Sequence, residues 1–345
     1  MPAKKKSEPV KPILLNEEQQ AVVSAREGSW CCMAGPGSGK SACVTARYCA
    51  LIQEGVSPDQ ILSLSFTRSA AKNLRDRVEA QVGKLSINRK VAGAVTFHSL
   101  ALSFALEERT EYGFELADNP LAAEPIANKF ASEVSRKFDT DGRILRPAVS
   151  LWKRRRISPA SAIRDCENRI DAKQLKLALA YKGYQKLLKE NGLLDFDDLG
   201  YFMVEILEKR PEARGRWQYQ YVMVDETQDC CQIEWALLKL ISEQHKNLLA
   251  VGDASQGIYG FRGSDPRLFS AMNEIFPGTQ TLYMGCNYRS TPEIISFIRP
   301  IASSKELAEK FHTTNPSGPI PEIRGFNSPV EEAKWICAKI KGDTC

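Results

Sequence analysis

The chain has 345 residues, of which 43% are apolar and 26% are charged, and its formal net charge is +5. This composition is typical of a soluble globular protein, and the length favours two or more domains. No apolar run approaches the length of a bilayer span and the first residues lack the apolar segment of a signal peptide, so we expect no membrane partner.

The first segment, Met1–Pro12, is rich in lysine and proline. We predict a disordered basic tail, because such a segment cannot bury enough apolar surface to offset the entropy of ordering. A role in nuclear import or nucleic-acid binding is the alternative interpretation of this tail.

A glycine-rich run follows the apolar stretch Trp30–Ala34 and precedes the helical pattern Ala42–Ile52. It reads Ala34-Gly35-Pro36-Gly37-Ser38-Gly39-Lys40-Ser41. A turn of this kind between strand and helix lets backbone N–H groups surround phosphate oxygens, and the helix N-terminus adds a partial positive charge. Lys40 is expected to reach the β- and γ-phosphates and Ser41 to hold Mg²⁺. An ordinary glycine-rich turn is the alternative, but the strand–helix context favours a nucleotide triphosphate site.

Strand-like and helical patterns alternate along two blocks of the chain. The predicted strands are Trp30–Ala34, Ile61–Phe66, Ala92–Thr96, Tyr221–Asp225, Leu248–Gly252 and Thr281–Met284. The helical patterns between them include Ser69–Val82 and Gln232–Ser242. Near-continuous apolar strands with intervening helices predict a parallel sheet covered on both faces. The almost wholly helical stretch between the blocks indicates an insertion. After a helix that begins near Pro292, we predict a chain break at Pro316–Pro321, a last short strand and the helix Pro329–Ile340.

Two adjacent carboxylates, Asp225 and Glu226, follow the strand that begins at Tyr221. In a doubly wound sheet, ligands bind at the carboxyl ends of the strands. We predict that Asp225 holds Mg²⁺ through water and that Glu226 is the general base for an attacking water. A solvated turn after a strand is the alternative for an Asp-Glu pair alone.

The next strand leads into a polar and then an aromatic loop. Gln256 is placed to sense a γ-phosphate or to orient water. Beyond it, Tyr259, Phe261 and Arg262 lie among glycines, a composition that can stack nucleic-acid bases and contact their backbone. Packing of the two rings beneath the loop is the alternative.

Two remaining features carry weaker signals. The run Lys153-Arg154-Arg155-Arg156 could contact phosphates, and a solvated helix face is at least as good an interpretation. The ten cysteines show no C-x-x-C spacing and the three histidines are isolated from them, which argues against structural zinc and secreted disulfides. We expect free, mostly buried thiols in a reducing compartment, and hence a cytoplasmic location, or a nuclear one in a eukaryote.

Taken in order, these motifs resemble those of the UvrD/Rep-like branch of superfamily-1 DNA helicases. Leu15-Asn16-Glu17-Glu18-Gln19 is similar to the family's Q motif, and Ala34–Ser41 to its motif I. Asp225–Asp229 fits the family's D-E-x-Q-D, and Gly252–Gly263 its motif III. Asn287-Tyr288-Arg289-Ser290 matches motif IV. The resemblance implies that Gln19 reads the adenine edge, Tyr288 stacks on adenine and Arg289 is a finger on the γ-phosphate.

The same resemblance implies a set of DNA-contacting residues. Phe66-Thr67-Arg68 resembles the start of motif Ia, with Arg68-Ser69 where the family usually has Asn-Lys, and Thr96-Phe97-His98-Ser99 is similar to motif Ib. With Tyr259, Phe261 and Arg262 they are expected to contact single-stranded DNA. Leu194–Leu199 looks like the segment that returns the chain from the helical insertion.

The implied fold class is α/β, a RecA-like P-loop NTPase sheet with a helical insertion. We expect the basic tail at 1–12, the first motor domain at 13–100 and 200–285, the insertion at 101–199, and an incomplete second motor domain at 286–345. Segments similar to motifs V and VI do not occur in this sequence. Strand edges and apolar surface are therefore expected to be exposed in the last part of the chain.

The implied function is an ATP-dependent DNA helicase or translocase with Mg²⁺ as cofactor, moving 3′-to-5′ on single-stranded DNA or at a single-strand/duplex junction. We expect a truncated or split chain, with a partner chain that supplies the missing second motor domain. A nucleotide- and single-strand-binding subunit without motor activity is the alternative, and a nucleotide switch unrelated to DNA is a third hypothesis.

Overall fold

The computed structural model describes residues 14–83 and 93–342. The predicted tail Met1–Pro12 and the first residue of the predicted third strand, Ala92, lie outside the described residues. Six strands form one parallel sheet in the order β3-β2-β4-β5-β1-β6. Their bounds are β1 Ser29–Ala34, β2 Ile61–Ser65, β3 Gly93–Thr96, β4 Tyr221–Val224, β5 Leu248–Gly252 and β6 Gln280–Met284. The predicted α/β class and all six predicted strands are confirmed.

The strand order determines where the functional loops lie. β5 pairs with β4 on one side and with β1 on the other, in registers such as Val224 with Ala250 and Cys32 with Val251. All three strands are parallel, so their carboxyl ends emerge side by side at one edge of the sheet. The loops that follow them begin at Gly35, Asp225 and Asp253, which brings three separate motifs together.

Helices cover both faces of the sheet and form a separate layer beside it. Over the described residues they are α1 Glu17–Ser24, α2 Lys40–Gln53, α3 Arg68–Val82, α4 Phe97–Glu107, α5 Glu124–Lys137, α6 Gly142–Arg154, α7 Pro159–Arg169, α8 Ala172–Glu190, α9 Phe196–Lys209, α10 Pro211–Arg216, α11 Gln232–Ile241, α12 Pro266–Ser270, α13 Met272–Ile275, α14 Pro292–Ile298, α15 Lys305–Lys310 and α16 Pro329–Gly342. Helices α2 and α3 pack on one face of the sheet, and α4, α9 and α11 on the other. The sheet is therefore buried on both sides, as its near-continuous apolar strands predict.

Helices α5 to α8 enclose a hydrophobic core of their own. Its members include Phe130, Val134, Leu145, Tyr181 and Leu188, and this core is distinct from the two that flank the sheet. Helix α4 crosses residue 101, the predicted start of the insertion, and its Ala101 and Phe104 belong to the sheet core. The independently packed part of the insertion therefore begins after α4.

The last part of the chain begins at Gly285, directly after β6. Gly285 lies between β6 and the strand β7 Cys286–Asn287, which pairs in parallel with β8 His312–Thr313. A side chain at Gly285 would lie 2.3 Å from the Lys310 carbonyl oxygen, so only glycine fits there. The Glu18 carboxylate accepts hydrogen bonds from the backbone N–H groups of Gly285, at 2.8 Å, and Cys286, at 3.3 Å.

The predictions for the C-terminal residues are partly correct. The helix α16 confirms the one predicted from Pro329, but the short strand predicted just before it is wrong, because residues 314–328 carry no strand. The last short strand is β8, which comes before Pro316, Pro319 and Pro321 rather than after them. Apolar side chains are exposed here, at Ile301, Ile320, Ile323, Val330 and Ile340. Within the described residues, no helix is both long enough and apolar enough to cross a membrane.

Candidate nucleotide site and nucleic-acid interface

The glycine-rich loop takes a conformation that only glycine adopts readily. Gly37 and Gly39 have φ values of +68° and +87°. A Cβ atom at Gly37 would lie 2.8 Å from the Asn287 amide nitrogen, and one at Gly39 would lie 2.7 Å from that of Gln19. Both glycines are therefore required by backbone conformation and by the close approach of neighbouring side chains.

Three carbonyl groups of this loop point outward, into hydrogen bonds with surrounding residues. The Pro36 oxygen accepts from Asn287 Nδ2, the Gly37 oxygen from the Tyr288 backbone N–H at 3.0 Å, and the Ser38 oxygen from Gln19 Nε2 at 2.9 Å. In a trans peptide the next N–H points away from the carbonyl, so the N–H groups of Gly37 and Gly39 face the opposite side. Backbone N–H groups placed together just before the start of α2 are of the type that binds phosphate.

Ser41 and Asp225 meet beside this loop. The Ser41 hydroxyl donates to Asp225 Oδ2 at 2.7 Å. Burial, together with the neighbouring Glu226 carboxylate, raises the pKa of Asp225. A hydroxyl and a carboxylate are hard oxygen ligands of the type that Mg²⁺ prefers, so this pair fits the predicted metal role.

Lys40 and Glu226 face each other across the same space. Lys40 is buried, and its Nζ lies 3.8 Å from Glu226 Oε2. Glu226 has a left-handed backbone, with φ of 54°, which is rare for a residue with a side chain and concentrates at functional sites. Its carboxylate is half-exposed, and so it remains accessible to a bound water or phosphate.

A chain of hydrogen bonds connects Glu226 to Gln256. Gln228 Nε2 donates to Glu226 Oε2 at 2.9 Å, and Gln228 Oε1 accepts from the Asp253 backbone N–H at 3.0 Å. Gln256 Nε2 then donates to Asp253 Oδ2 at 2.7 Å. Sequence reasoning did not assign Gln228 or Asp253 a role. The sequence feature that could have indicated them is their position in the two loops that follow the adjacent strands β4 and β5.

The residues predicted to contact adenine lie on the far side of the loop. Tyr288 is half-exposed, and burial, reinforced by the nearby Cys286, raises its pKa to about 12. Gln19 is buried, and both ends of its amide are bonded within the protein, to the Asn16 backbone N–H and to the Ser38 carbonyl. Arg289 is exposed, and its Cβ lies 3.0 Å from the place that a Cβ at Gly37 would occupy.

Two adjoining cavities lie between the sheet edge and the insertion. The first has a volume of about 250 Å³, and the predicted DNA-contacting residues that line it are Phe66, Thr67, Phe97, His98, Tyr259 and Arg262. Asp225 and Glu226 line the same cavity from the nucleotide side. The second has a volume of about 520 Å³ and is lined in addition by Arg68 and Thr96. Phe261 lies outside both cavities, is 80% exposed and has its ring 6.0 Å from that of Tyr259.

Phe97 differs from the prediction. Its side chain is only 5% exposed and belongs to the sheet core, with its ring 5.5 Å from the half-buried ring of Phe66. The reason is its position as first residue of α4, whose apolar face packs on the sheet. In this structure Phe97 supports Phe66 from below, and its own ring is not free to stack on a base.

Phe196 is a candidate contact that sequence reasoning missed. It is 45% exposed, lines both cavities and meets His98 edge-on, with ring centroids 5.6 Å apart. Its only signal was an aromatic residue among three acidic ones in the segment Leu194–Leu199.

The basic run at the end of α6 is not a simple charged surface. Lys153 is 1% exposed and its Nζ lies 2.7 Å from Asp195 and 2.9 Å from Asp198. Both interpretations of the run, a phosphate contact and a solvated face, are therefore wrong for Lys153. Arg154 donates to Asp197 at 2.6 Å and to the Arg262 carbonyl at 2.8 Å. Lys153 and Arg154 turn inward because α6 packs against the acidic first turn of α9, whereas Arg155 and Arg156 are exposed.

The cysteines behave as predicted over the described residues. All nine described cysteines are free, and eight of them are buried, with Cys337 exposed. Burial raises the pKa of Cys31 to about 12, so its thiol stays protonated and inert. The prediction for Cys345 lies outside the described residues.

Comparison with known proteins identifies the family. A model of the UvrD/REP helicase N-terminal domain matches residues 15–277. The chain belongs to this family. It is 32% identical over 337 residues to the ATP-dependent DNA helicase PcrA of Staphylococcus epidermidis, and 32% identical over 339 residues to PcrA of Staphylococcus aureus. Each match covers 94% of this chain but only 45% of the relative, so the chain spans about half the length of these UvrD/REP-family relatives.

Proposed function

We propose that this chain is the ATP-binding part of a DNA helicase or translocase that couples ATP hydrolysis to 3′-to-5′ movement on single-stranded DNA. The observation that carries the proposal is the shared cavity. Its walls include Asp225 and Glu226 on one side and Phe66, His98 and Tyr259 on the other. Groups suited to phosphate chemistry and groups suited to base stacking therefore line the same cavity, which supports coupling between ATP and DNA binding.

On the nucleotide side, each residue has a proposed role. The loop Ala34–Ser41 surrounds the phosphates, Lys40 neutralises the β- and γ-phosphates, and Ser41 and Asp225 hold Mg²⁺. Bound Mg²⁺ would neutralise charge that develops on the phosphate oxygens. Glu226 accepts the proton of the attacking water, Gln256 orients that water, and Arg289 stabilises the γ-phosphate charge. Gln19 and Tyr288 contact the adenine, for which Gln19 must share or exchange one of its present hydrogen bonds.

On the DNA side, we propose that single-stranded DNA lies along the two cavities. Exposed rings stack on bases irrespective of sequence, and guanidinium groups contact the phosphates. The proposed contacts are Phe66, Thr67, Arg68, Thr96, His98, Phe196, Tyr259, Phe261 and Arg262. The same proposal includes a single-strand/duplex junction as a DNA substrate and a partner segment that completes the second motor domain. It also includes the four-part division of the chain and a cytoplasmic location.

The test is ATP hydrolysis by the chain with and without single-stranded DNA, alongside binding of a fluorescent ATP analogue. Turnover that rises with added DNA would support a motor whose site is complete. Nucleotide binding and DNA binding without turnover would favour a non-motor binding subunit. Nucleotide binding without any DNA binding at low salt would overturn the helicase proposal, because contacts with phosphates strengthen as salt falls.

A further inference from the structure

The side chain of Asn287 joins the glycine-rich loop to the segment that carries Arg289. It is 2% exposed. Its Nδ2 donates to the Pro36 carbonyl, while its Oδ1 accepts from the backbone N–H groups of Arg289 at 2.7 Å and Ser290 at 2.6 Å. One buried amide therefore makes three hydrogen bonds to two separate parts of the site.

The contact between these two parts is close and has little freedom. The Tyr288 backbone N–H bonds to the Gly37 carbonyl at 3.0 Å, directly beside the Asn287 contact. Gly37 has no room for a side chain, because its Cβ would lie 2.8 Å from Asn287 and 3.0 Å from the Arg289 Cβ. The backbone that carries Arg289 therefore rests on the loop with no intervening layer.

Removing the Asn287 amide would leave several groups without partners. The Pro36 carbonyl and two backbone N–H groups would lose their hydrogen bonds in a partly buried place, where unsatisfied groups are costly. The turn that starts at Asn287 holds the Arg289 backbone in one direction, as asparagine side chains commonly do in turns. Without it, only the Tyr288 bond to Gly37 would hold this backbone on the loop, and the direction of Arg289 would be less well fixed.

We propose that Asn287 is a positioning residue that sets the Arg289 guanidinium at γ-phosphate distance from the loop, and so makes the site prefer the triphosphate over the diphosphate. The inference rests on the proposed function, in which Arg289 acts on the γ-phosphate. ADP has no γ-phosphate, so a well-placed Arg289 strengthens the binding of ATP alone. Loss of Asn287 is then a loss of discrimination between two nucleotides rather than a general loss of binding.

The experiment titrates the full chain with fluorescent ATP and ADP analogues in the presence of Mg²⁺. The variants are Asn287→Ala, Arg289→Ala and the double variant. Asn315→Ala is the matched control, because Asn315 Nδ2 also bonds to this segment, at the Ser290 carbonyl, but does not contact the loop. We expect the ratio of the ADP to the ATP dissociation constant to fall about tenfold in Asn287→Ala, the effect of one charge-assisted contact. The ratio in the double variant should be no lower than in Arg289→Ala alone, and Asn315→Ala should keep the wild-type ratio.

Several results would overturn the inference. An equal weakening of ATP and ADP in Asn287→Ala would mean that Asn287 only shapes the loop, and additive effects in the double variant would mean that it acts independently of Arg289. If Asn287→Ala does not fold, as judged by its melting temperature, Asn287→Ser replaces it, since serine can keep a turn but cannot reach Pro36. A wild-type chain that binds neither nucleotide would refute the proposed function itself, and an Arg289→Ala variant with an unchanged ratio would refute both the role of Arg289 and this inference.

Discussion

Gln228 orients Glu226, because Gln228 Nε2 donates a hydrogen bond to Glu226 Oε2 at 2.9 Å. The two residues lie two positions apart, and the backbone is left-handed at Glu226. The other end of the Gln228 amide is fixed by the Asp253 N–H, and a side chain at Gly252 would lie 2.5 Å from Gln228 Oε1. The direction of the Glu226 carboxylate is therefore set by the neighbouring strand as well as by its own loop.

We predict that Gln228→Ala lowers ATP turnover while nucleotide affinity stays close to wild type. A misdirected base still permits binding but loses much of the 10²- to 10⁴-fold that a positioned base contributes, so a decrease of about 10- to 100-fold is expected. Steady-state hydrolysis and analogue binding measure the two quantities. Gln232→Ala, at an exposed position on α11, is the control. Unchanged turnover in Gln228→Ala would contradict this role.

Glu226→Gln should retain ATP binding and lose hydrolysis by at least about 100-fold, because the amide keeps the shape of the carboxylate but cannot accept the proton. Single-turnover hydrolysis measured beside analogue binding separates the two effects. Glu133→Gln, on the exposed face of α5, controls for the loss of one negative charge. Continued turnover in Glu226→Gln would show that another group is the base.

Lys153→Met should destabilise the protein by about 3–5 kcal/mol, because it leaves Asp195 and Asp198 buried beside each other without their cation. Lys176→Met is the matched control: Lys176 pairs with Asp139 at the same distance of 2.7 Å, but both side chains are exposed, so little or no loss of stability is expected. Urea unfolding measures both free energies. Equal losses in the two variants would rule out the buried ion cluster as a special contributor.

Asp229→Asn should make stability less dependent on pH. Burial, with the adjacent Glu226 charge, raises the pKa of Asp229 to about 6, above the value of about 3.9 for an unfolded aspartate. The folded state therefore binds this proton more tightly than the unfolded state does. Its contribution to the free energy of unfolding is complete below about pH 4 and is lost as the pH rises through 6. We expect Asp229→Asn to be more stable than wild type at pH 8 and the difference to shrink toward pH 5. Melting temperatures across this range test it, with Asp118→Asn, at an exposed carboxylate, as the charge control. A difference that grows as the pH falls would have the wrong sign.

Arg154→Ala should weaken single-stranded DNA binding about tenfold without changing nucleotide affinity. Arg154 joins Asp197 to the Arg262 carbonyl, and so ties the proposed DNA-contacting loop to the start of α9. Both bonds lie within the protein and only hold the loop in place, so we expect DNA binding to lose about 1.4 kcal/mol, less than the full value of the two bonds, which corresponds to tenfold. Fluorescence anisotropy of a labelled oligonucleotide is the measurement, and Arg136→Ala, on the exposed face of α5, controls for lost charge. Equal weakening in both variants would leave only a general electrostatic effect.

Much of the α/β fold could be predicted from local patterns. Apolar runs of strand length predicted the six strands, and the glycine spacing before Lys40 predicted the loop. Both features could be predicted because they depend on residues that are close together in the sequence. The interior partner of Lys153 could not be predicted, since Asp195 is 42 positions away and only the packing of α6 on α9 brings them together. The burial of Phe97 could not be predicted for the same reason, because it depends on where α4 lies, which the motif does not encode.

Helix α1 has two attachments within a single turn. Glu18 bonds to the N–H groups at Gly285, where the sheet passes into β7, and its neighbour Gln19 bonds to the Ser38 carbonyl. Besides straining the bonds from Asn287 and Tyr288 to the loop, a rotation of the β7–β8 unit about Gly285 must therefore stretch the Glu18 contacts or carry α1 with it. If α1 moves, the displacement passes from Glu18 to the adjacent Gln19 and from there to Ser38 in the glycine-rich loop. Helix α1 therefore couples the Gly285 connection to the glycine-rich loop by a route that does not pass through the sheet.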